Sequence, residues 1–164
     1  MLKKIGIIAM CLLVMCSFML FAMGSGESGT DDQGSGAAAE DGSGNNLGSY
    51  RVDILSCRLA KDYEGSDVVV VKYNYTNNSS ESTSFDVAFM TYAYQNGIGL
   101  NGAYVLADNA NYSDENQSKS IKSGASIEVE VAYKLNDTTT DVEIEVTEFI
   151  SFSDKKVTKT FSIA

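Results

Sequence analysis

The chain has 164 residues, with 22 acids against 12 bases and no histidine, proline or tryptophan. A formal charge of −10 argues against nucleic acid as a partner, because that needs stripes of Lys and Arg. Without imidazole there is no Ser-His-Asp site, no Cys-His site and no His-ligated metal.

In chain order, the first element is a hydrophobic leader over residues 1–24. Lys3 and Lys4 precede a run of 19 uncharged residues, Ile5 to Met23. A basic start followed by an apolar stretch reads as an export signal, and its length also approaches a membrane span. The lysines would keep the N-terminus in the cytoplasm and send the rest outward. Three fates stay open. Cys16 after Leu13-Val14-Met15 is a possible lipidation site, although Met15 stands where such a site takes Gly, Ala or Ser. Cleavage after Ala22-Met23-Gly24 is the second. An uncleaved anchor helix is the third. Each places residues 25 onward at the extracellular face of the cytoplasmic membrane or secretes them.

Residues 25–49 read as a linker. They hold seven glycines, five serines and five acids, with no Lys or Arg, and Leu47 is the sole large apolar side chain. Such a segment buries too little surface to offset its ordering entropy and is expected to be disordered.

Residues 50–164 read as one all-β domain, net −7 from 17 acids and 10 bases. Period-two alternation runs through it. In the first strand, about 50–60, Val52 and Ile54 share one parity while Leu55, Cys57 and Leu59 take the other, which predicts a bulge near Leu55–Ser56. Val68 to Val71, then Tyr73 and Tyr75, and Phe85, Val87 and Phe89, then Tyr92 and Tyr94, read as two central strands. Asn96-Gly97 predicts a tight hairpin into a short strand around Leu100–Leu106. In 126–135, Ile127, Val129, Val131, Tyr133 and Leu135 face inward. Val142, Ile144 and Val146 repeat that pattern, and Val157, Phe161 and Ile163 end the chain with a last strand. Seven short strands with turn signals between them predict an immunoglobulin-like antiparallel sandwich, with a small barrel as the alternative.

The segments Lys61-Asp62-Tyr63-Glu64-Gly65, Tyr73-Asn74-Tyr75-Thr76-Asn77-Asn78-Ser79, Ser84-Phe85-Asp86-Val87-Ala88-Phe89, Gln95-Asn96-Gly97 and Lys134-Leu135-Asn136-Asp137-Thr138 carry a resemblance. They look like a family of secreted Gram-positive domains known as domain of unknown function 5067. The resemblance covers about 50–164 and implies an immunoglobulin-like sandwich behind a lipoprotein leader and a polar spacer. It implies no activity and no catalytic residues.

Few residues suggest chemistry. Cys57 is the one cysteine after the leader, has no disulfide partner within the folded domain, and reads as a core thiol. Glu128/Glu130 and Glu143/Glu145 lie on wet strand faces and would share one face if their strands were neighbours. The polar loop Asp108–Glu115 offers oxygens for Ca²⁺ but lacks the EF-hand spacing. Tyrosine covers area at low entropy cost, so Tyr92, Tyr94, Tyr104 and Tyr112 are a candidate binding patch. The expected function is a membrane-tethered recognition or assembly module that is not an enzyme and uses no cofactor. Its expected partner is a cell-surface protein or cell-wall polymer, with the membrane engaged through the leader and no nucleic acid. A structural accessory domain and a carboxylate-based hydrolase are the alternatives.

Overall fold

In the computed structural model, residues 45–106 and 112–164 are described. The leader, residues 25–44 of the linker, Cys16 and much of the 108–115 loop therefore lie outside the described residues.

The order of elements is β1 (Asn46–Leu47), β2 (Tyr50–Lys61), β3 (Asp67–Asn77), α1 (Phe85–Ala88), β4 (Phe89–Gln95), β5 (Ile98–Gly99), β6 (Ser126–Lys134), β7 (Val142–Glu148) and β8 (Lys156–Phe161). They form two four-stranded antiparallel sheets, β1-β2-β3-β6 and β5-β4-β7-β8. Apart from the two-residue β1, the first sheet joins strands one, two and five of an immunoglobulin-like succession. The second joins strands three, six and seven with a short addition at its edge. This is the sandwich arrangement expected from the alternation.

Inward-facing residues of both sheets make one core: Val52, Ile54, Val69, Val71, Tyr73, Tyr75 and Val129 from the first, Phe89, Ala93, Val142, Ile144, Val146 and Val157 from the second. At one end Tyr75, Phe85 and Phe89 pack edge-on or tilted, with centroids 5.4–6.2 Å apart. Farther in, the Tyr73 and Tyr133 hydroxyls lie 3.3 Å apart and Tyr133 donates to Thr91 Oγ1 at 2.7 Å. That short chain satisfies buried phenols and ties one sheet to the other.

The predicted bulge is present, because the β2–β3 register shifts between Ile54 and Ser56. Lys159 of β8 donates to the Ile54 carbonyl (2.9 Å) and the Leu55 carbonyl (3.1 Å), the carbonyls at that irregularity. The continuous run Val68–Val71 also has a cause. Val69 and Val71 face the sandwich, while Val68 and Val70 pack outward against Val105, Tyr112 and Ala132. Both faces of β3 are therefore covered.

Three expectations need correction. Phe85–Ala88 is a short helical turn, and the strand starts only at Phe89. Phe85, Ala88 and Phe89 are buried at helical spacing, while Val87 is exposed. The strand after Asn96-Gly97 is only Ile98–Gly99. Beyond it the chain crosses between sheets: Leu100 N–H bonds Ala93 O at 2.8 Å, and Ala103 N–H bonds Ala132 O at 2.9 Å. Finally, Leu47 of the expected linker is 1% exposed, since β1 pairs with β2 and delivers this one large apolar side chain to the core.

Candidate functional site

The outer face of β4, β7 and β8 is built from three cross-strand rows. Tyr94 lies opposite Glu143, and Glu143 opposite Thr160. Tyr92, Glu145 and Thr158 form the next row, then Met90, Thr147 and Lys156. Alternation puts all nine side chains on the outer side. Tyr92 and Tyr94, two apart on one strand, lie stacked with centroids 6.4 Å apart and planes 30° from parallel. Lys156 Nζ bonds Glu145 Oε2 at 2.6 Å, and that bond raises the lysine's pKa.

At the end of this face is an open depression of about 530 Å³, between Tyr94, Asn96, Thr139, Thr140, Asp141 and Glu143. Local sequence shapes both of its walls. Asn96 (φ 51°) and Gly97 (φ 74°) both take the left-handed conformation that a two-residue hairpin of type I′ needs. On the other wall, Asp137 accepts bonds from the N–H groups of Thr139 (2.8 Å) and Thr140 (2.7 Å) and from both threonine hydroxyls. Those donors hold its carboxyl at a pKa of about 2. Gln95 joins the walls from beneath. It is 2% exposed, donates to the carbonyls of Asp137 (3.0 Å) and Thr140 (2.9 Å), and accepts from Asn136 N–H (2.9 Å).

The arrangement offers flat aromatic surface beside carboxylate, amide and hydroxyl groups. Stacked rings cover apolar C–H surface, and the polar rim gives and accepts hydrogen bonds. A second, smaller cleft of about 290 Å³ separates the edges of β2 and β8. Its charged walls are already engaged. Arg51 bonds Asp53 at 3.0 Å and Lys159 is bound to the bulge carbonyls. Among the described residues no group of three or more His, Cys, Asp or Glu is placed to hold a metal ion.

The four tyrosines singled out by sequence do not form one patch. Tyr92 and Tyr94 are together. Tyr104 is exposed and pairs edge-on with Tyr63, at 6.2 Å, beside the β2–β3 turn. Tyr112 is 6% exposed, because it is the lid over Val68 and Val70. Burial pushes its phenol up to about 12. The carboxylate pairs separate too, since β6 and β7 belong to different sheets. Glu130 bonds Arg58 and Glu128 bonds Lys72 on the first sheet. Cys57 is free and half-buried against the core, and burial raises its pKa. Sequence reasoning missed Asn96, Thr139, Thr140 and Asp141. Their turns were legible, but their adjacency follows from β4 and β7 being neighbours.

Residues 27–148 match a family described as a domain of unknown function, DUF5067. The chain belongs to that family. The match ends with β7, so β8, which completes the outer face of this DUF5067 sandwich, lies beyond it. No curated protein matches the chain. Among solved structures it is similar to the yjhA protein from Bacillus subtilis, at 8% identity and a TM-score of 0.47, over 73% of this chain and 94% of that one.

Proposed function

We propose that this domain is a non-catalytic recognition module, held outside the cell at the membrane by its leader. It binds a polyhydroxylated polymer of the cell wall on the outer face of β4, β7 and β8. The supporting observation is the stacked Tyr92–Tyr94 pair beside the Asn96/Thr140/Glu143 depression. A sugar ring presents an apolar C–H face and a rim of hydroxyls, so it suits an aromatic platform with a polar border. The openness of the depression fits a long chain running across the face better than a small molecule sealed inside.

The test is titration calorimetry with soluble cell-wall glycan fragments. Tyr94→Ala should weaken binding about tenfold or more, which is ~1.4 kcal/mol. Tyr104→Ala, on the distant patch, should bind as the parent does. Equal affinity in the Tyr94→Ala protein rejects this face as the site. Absence of glycan binding by the parent rejects the ligand class and leaves an accessory role.

A further inference from the structure

The β7–β8 connection carries Phe149, Ile150 and Phe152 at its tip, 52%, 73% and 106% exposed. Three large apolar side chains, each more than half exposed on one loop, need a reason, since ordinary exposed apolar residues are scattered singly. The base of the loop is tied down: Phe149 N–H bonds Ala88 O at 2.9 Å, which brings exposed Val87 to the same end. The loop's two serines bond each other, and exposed Asp154 and Lys155 follow the tip. Ser151 Oγ lies 3.0 Å from Ser153 Oγ and accepts from Ser153 N–H at 3.1 Å.

The first described residue, Asn45, lies opposite Val52, and the chain runs from there through β1 to a turn at this same end. Gly48, just after β1, lies against the Glu148 side chain at the base of the loop. Its φ of +58° and that close contact both favour glycine. Twenty residues, 25–44, separate the apolar leader from Asn45. A Gly-rich chain of that length would span roughly 25 Å.

We propose that the 149–152 tip inserts into the lipid surface to which the leader anchors the chain, so that the sandwich stands on its β7–β8 loop. This rests on the anchoring proposed above. A bilayer is the occupant that these features suit. The tip gathers three large, exposed apolar side chains, Phe149, Ile150 and Phe152, within four consecutive residues. Its apolar side chains point outward while its serines are mutually bonded, as a loop entering the headgroup boundary requires. The domain's acidity gives no attraction to anionic lipid, so insertion is driven by apolar surface and proceeds on zwitterionic vesicles. The Tyr92–Tyr94 face then runs up from the membrane, open to the wall.

The chain has no tryptophan, so a single substitution reports one position. The intact Phe152→Trp chain is reconstituted through its leader into phosphatidylcholine vesicles, with or without brominated acyl chains. A Tyr63→Trp chain is treated alike. Tyr63 sits in the β2–β3 turn, at the opposite end of the first sheet from Tyr50. Flotation reports anchoring and emission reports depth. The expected result is blue-shifted emission for F152W that brominated lipid extinguishes, and full emission for Y63W. Floating F152W chains with undiminished emission overturn tip insertion while leaving anchoring intact. Equal quenching of both variants overturns the upright orientation. A blue shift without bromine quenching overturns lipid in favour of protein contact. Failure to float overturns anchoring and insertion together.

Discussion

Gln95 shows how one side chain sets the geometry of the candidate site. It is the last inward residue of β4 and its amide bonds four backbone groups of the 136–140 turn. Gln95→Leu keeps the volume but takes the partner from two carbonyls and two N–H groups of a part-buried turn. Unsatisfied buried groups cost about 1–3 kcal/mol each, partly relieved by water at a loop. The expected loss of unfolding free energy in urea is ~2–3 kcal/mol. A loss within ~0.5 kcal/mol, the range of ordinary surface changes, would show that the turn holds without this amide. Lys159 plays a comparable part across the sandwich edge. Its ammonium serves the two bulge carbonyls and lies 5.1 Å from the Phe161 ring centroid.

Among the elements, β6 shows how neighbouring residues of one strand meet opposite surroundings. Val129 is 1% exposed within the sandwich, while its neighbour Glu128 reaches Lys72 at 3.2 Å on the open side. Val129→Asp places a carboxylate in the core with no cation beside it. Such a burial costs more than the ~5–15 kcal/mol margin of a domain can readily absorb, so the variant should be unfolded by circular dichroism at 25 °C. Glu128→Gln removes one exposed ion pair and should change stability by no more than ~1 kcal/mol. A folded Val129→Asp protein would contradict the strand's register. The free edge of β6 is also covered by side chains. Asn116 Nδ2 donates to Glu128 O (2.9 Å) and Gln117 Nε2 to Glu130 O (2.5 Å), which occupies carbonyls that would otherwise invite another strand.

For the molecule as a whole, acid is the informative perturbant. Asp53, Asp62 and Asp137 all have lowered pKa values in the folded protein, Asp137 to about 2. For Asp53 and Asp62, burial opposes the shift, and bonds from Arg51 and Asn45 or from the Ser66 and Glu64 N–H groups outweigh it. For Asp137 the Thr139 and Thr140 N–H groups lead. A folded pKa below the unfolded one means that the stabilisation is complete above the unfolded value. It is lost as pH falls through the folded value. Stability should therefore hold near neutrality and decline between about pH 4 and pH 2. Asp137→Asn should flatten that decline when followed by urea midpoint against pH. A profile identical to the parent's would show that the carboxylate is not held by the turn.

Much of this fold is local chemistry and could be read from the chain. Alternation in 126–135 and 141–147 gives the inward residues, because period two on a half-buried strand leaves little choice of face. The phase change at Leu55 marks the bulge, and Asn96-Gly97 marks the hairpin, since both are written in consecutive residues. Phe85–Phe89 misleads because a run spaced for one helical turn also alternates over so short a stretch. The rest needed strand order. Only the assignment of β6 and β7 to different sheets parts Glu128/Glu130 from Glu143/Glu145. Only the packing of Val105 and Tyr112 over β3 turns Tyr112 into core and leaves Tyr92 and Tyr94 as the aromatic pair on the open sheet. Alternation tells a side chain which side of its own strand to take; which surface lies beyond that side depends on contacts between residues dozens of positions apart.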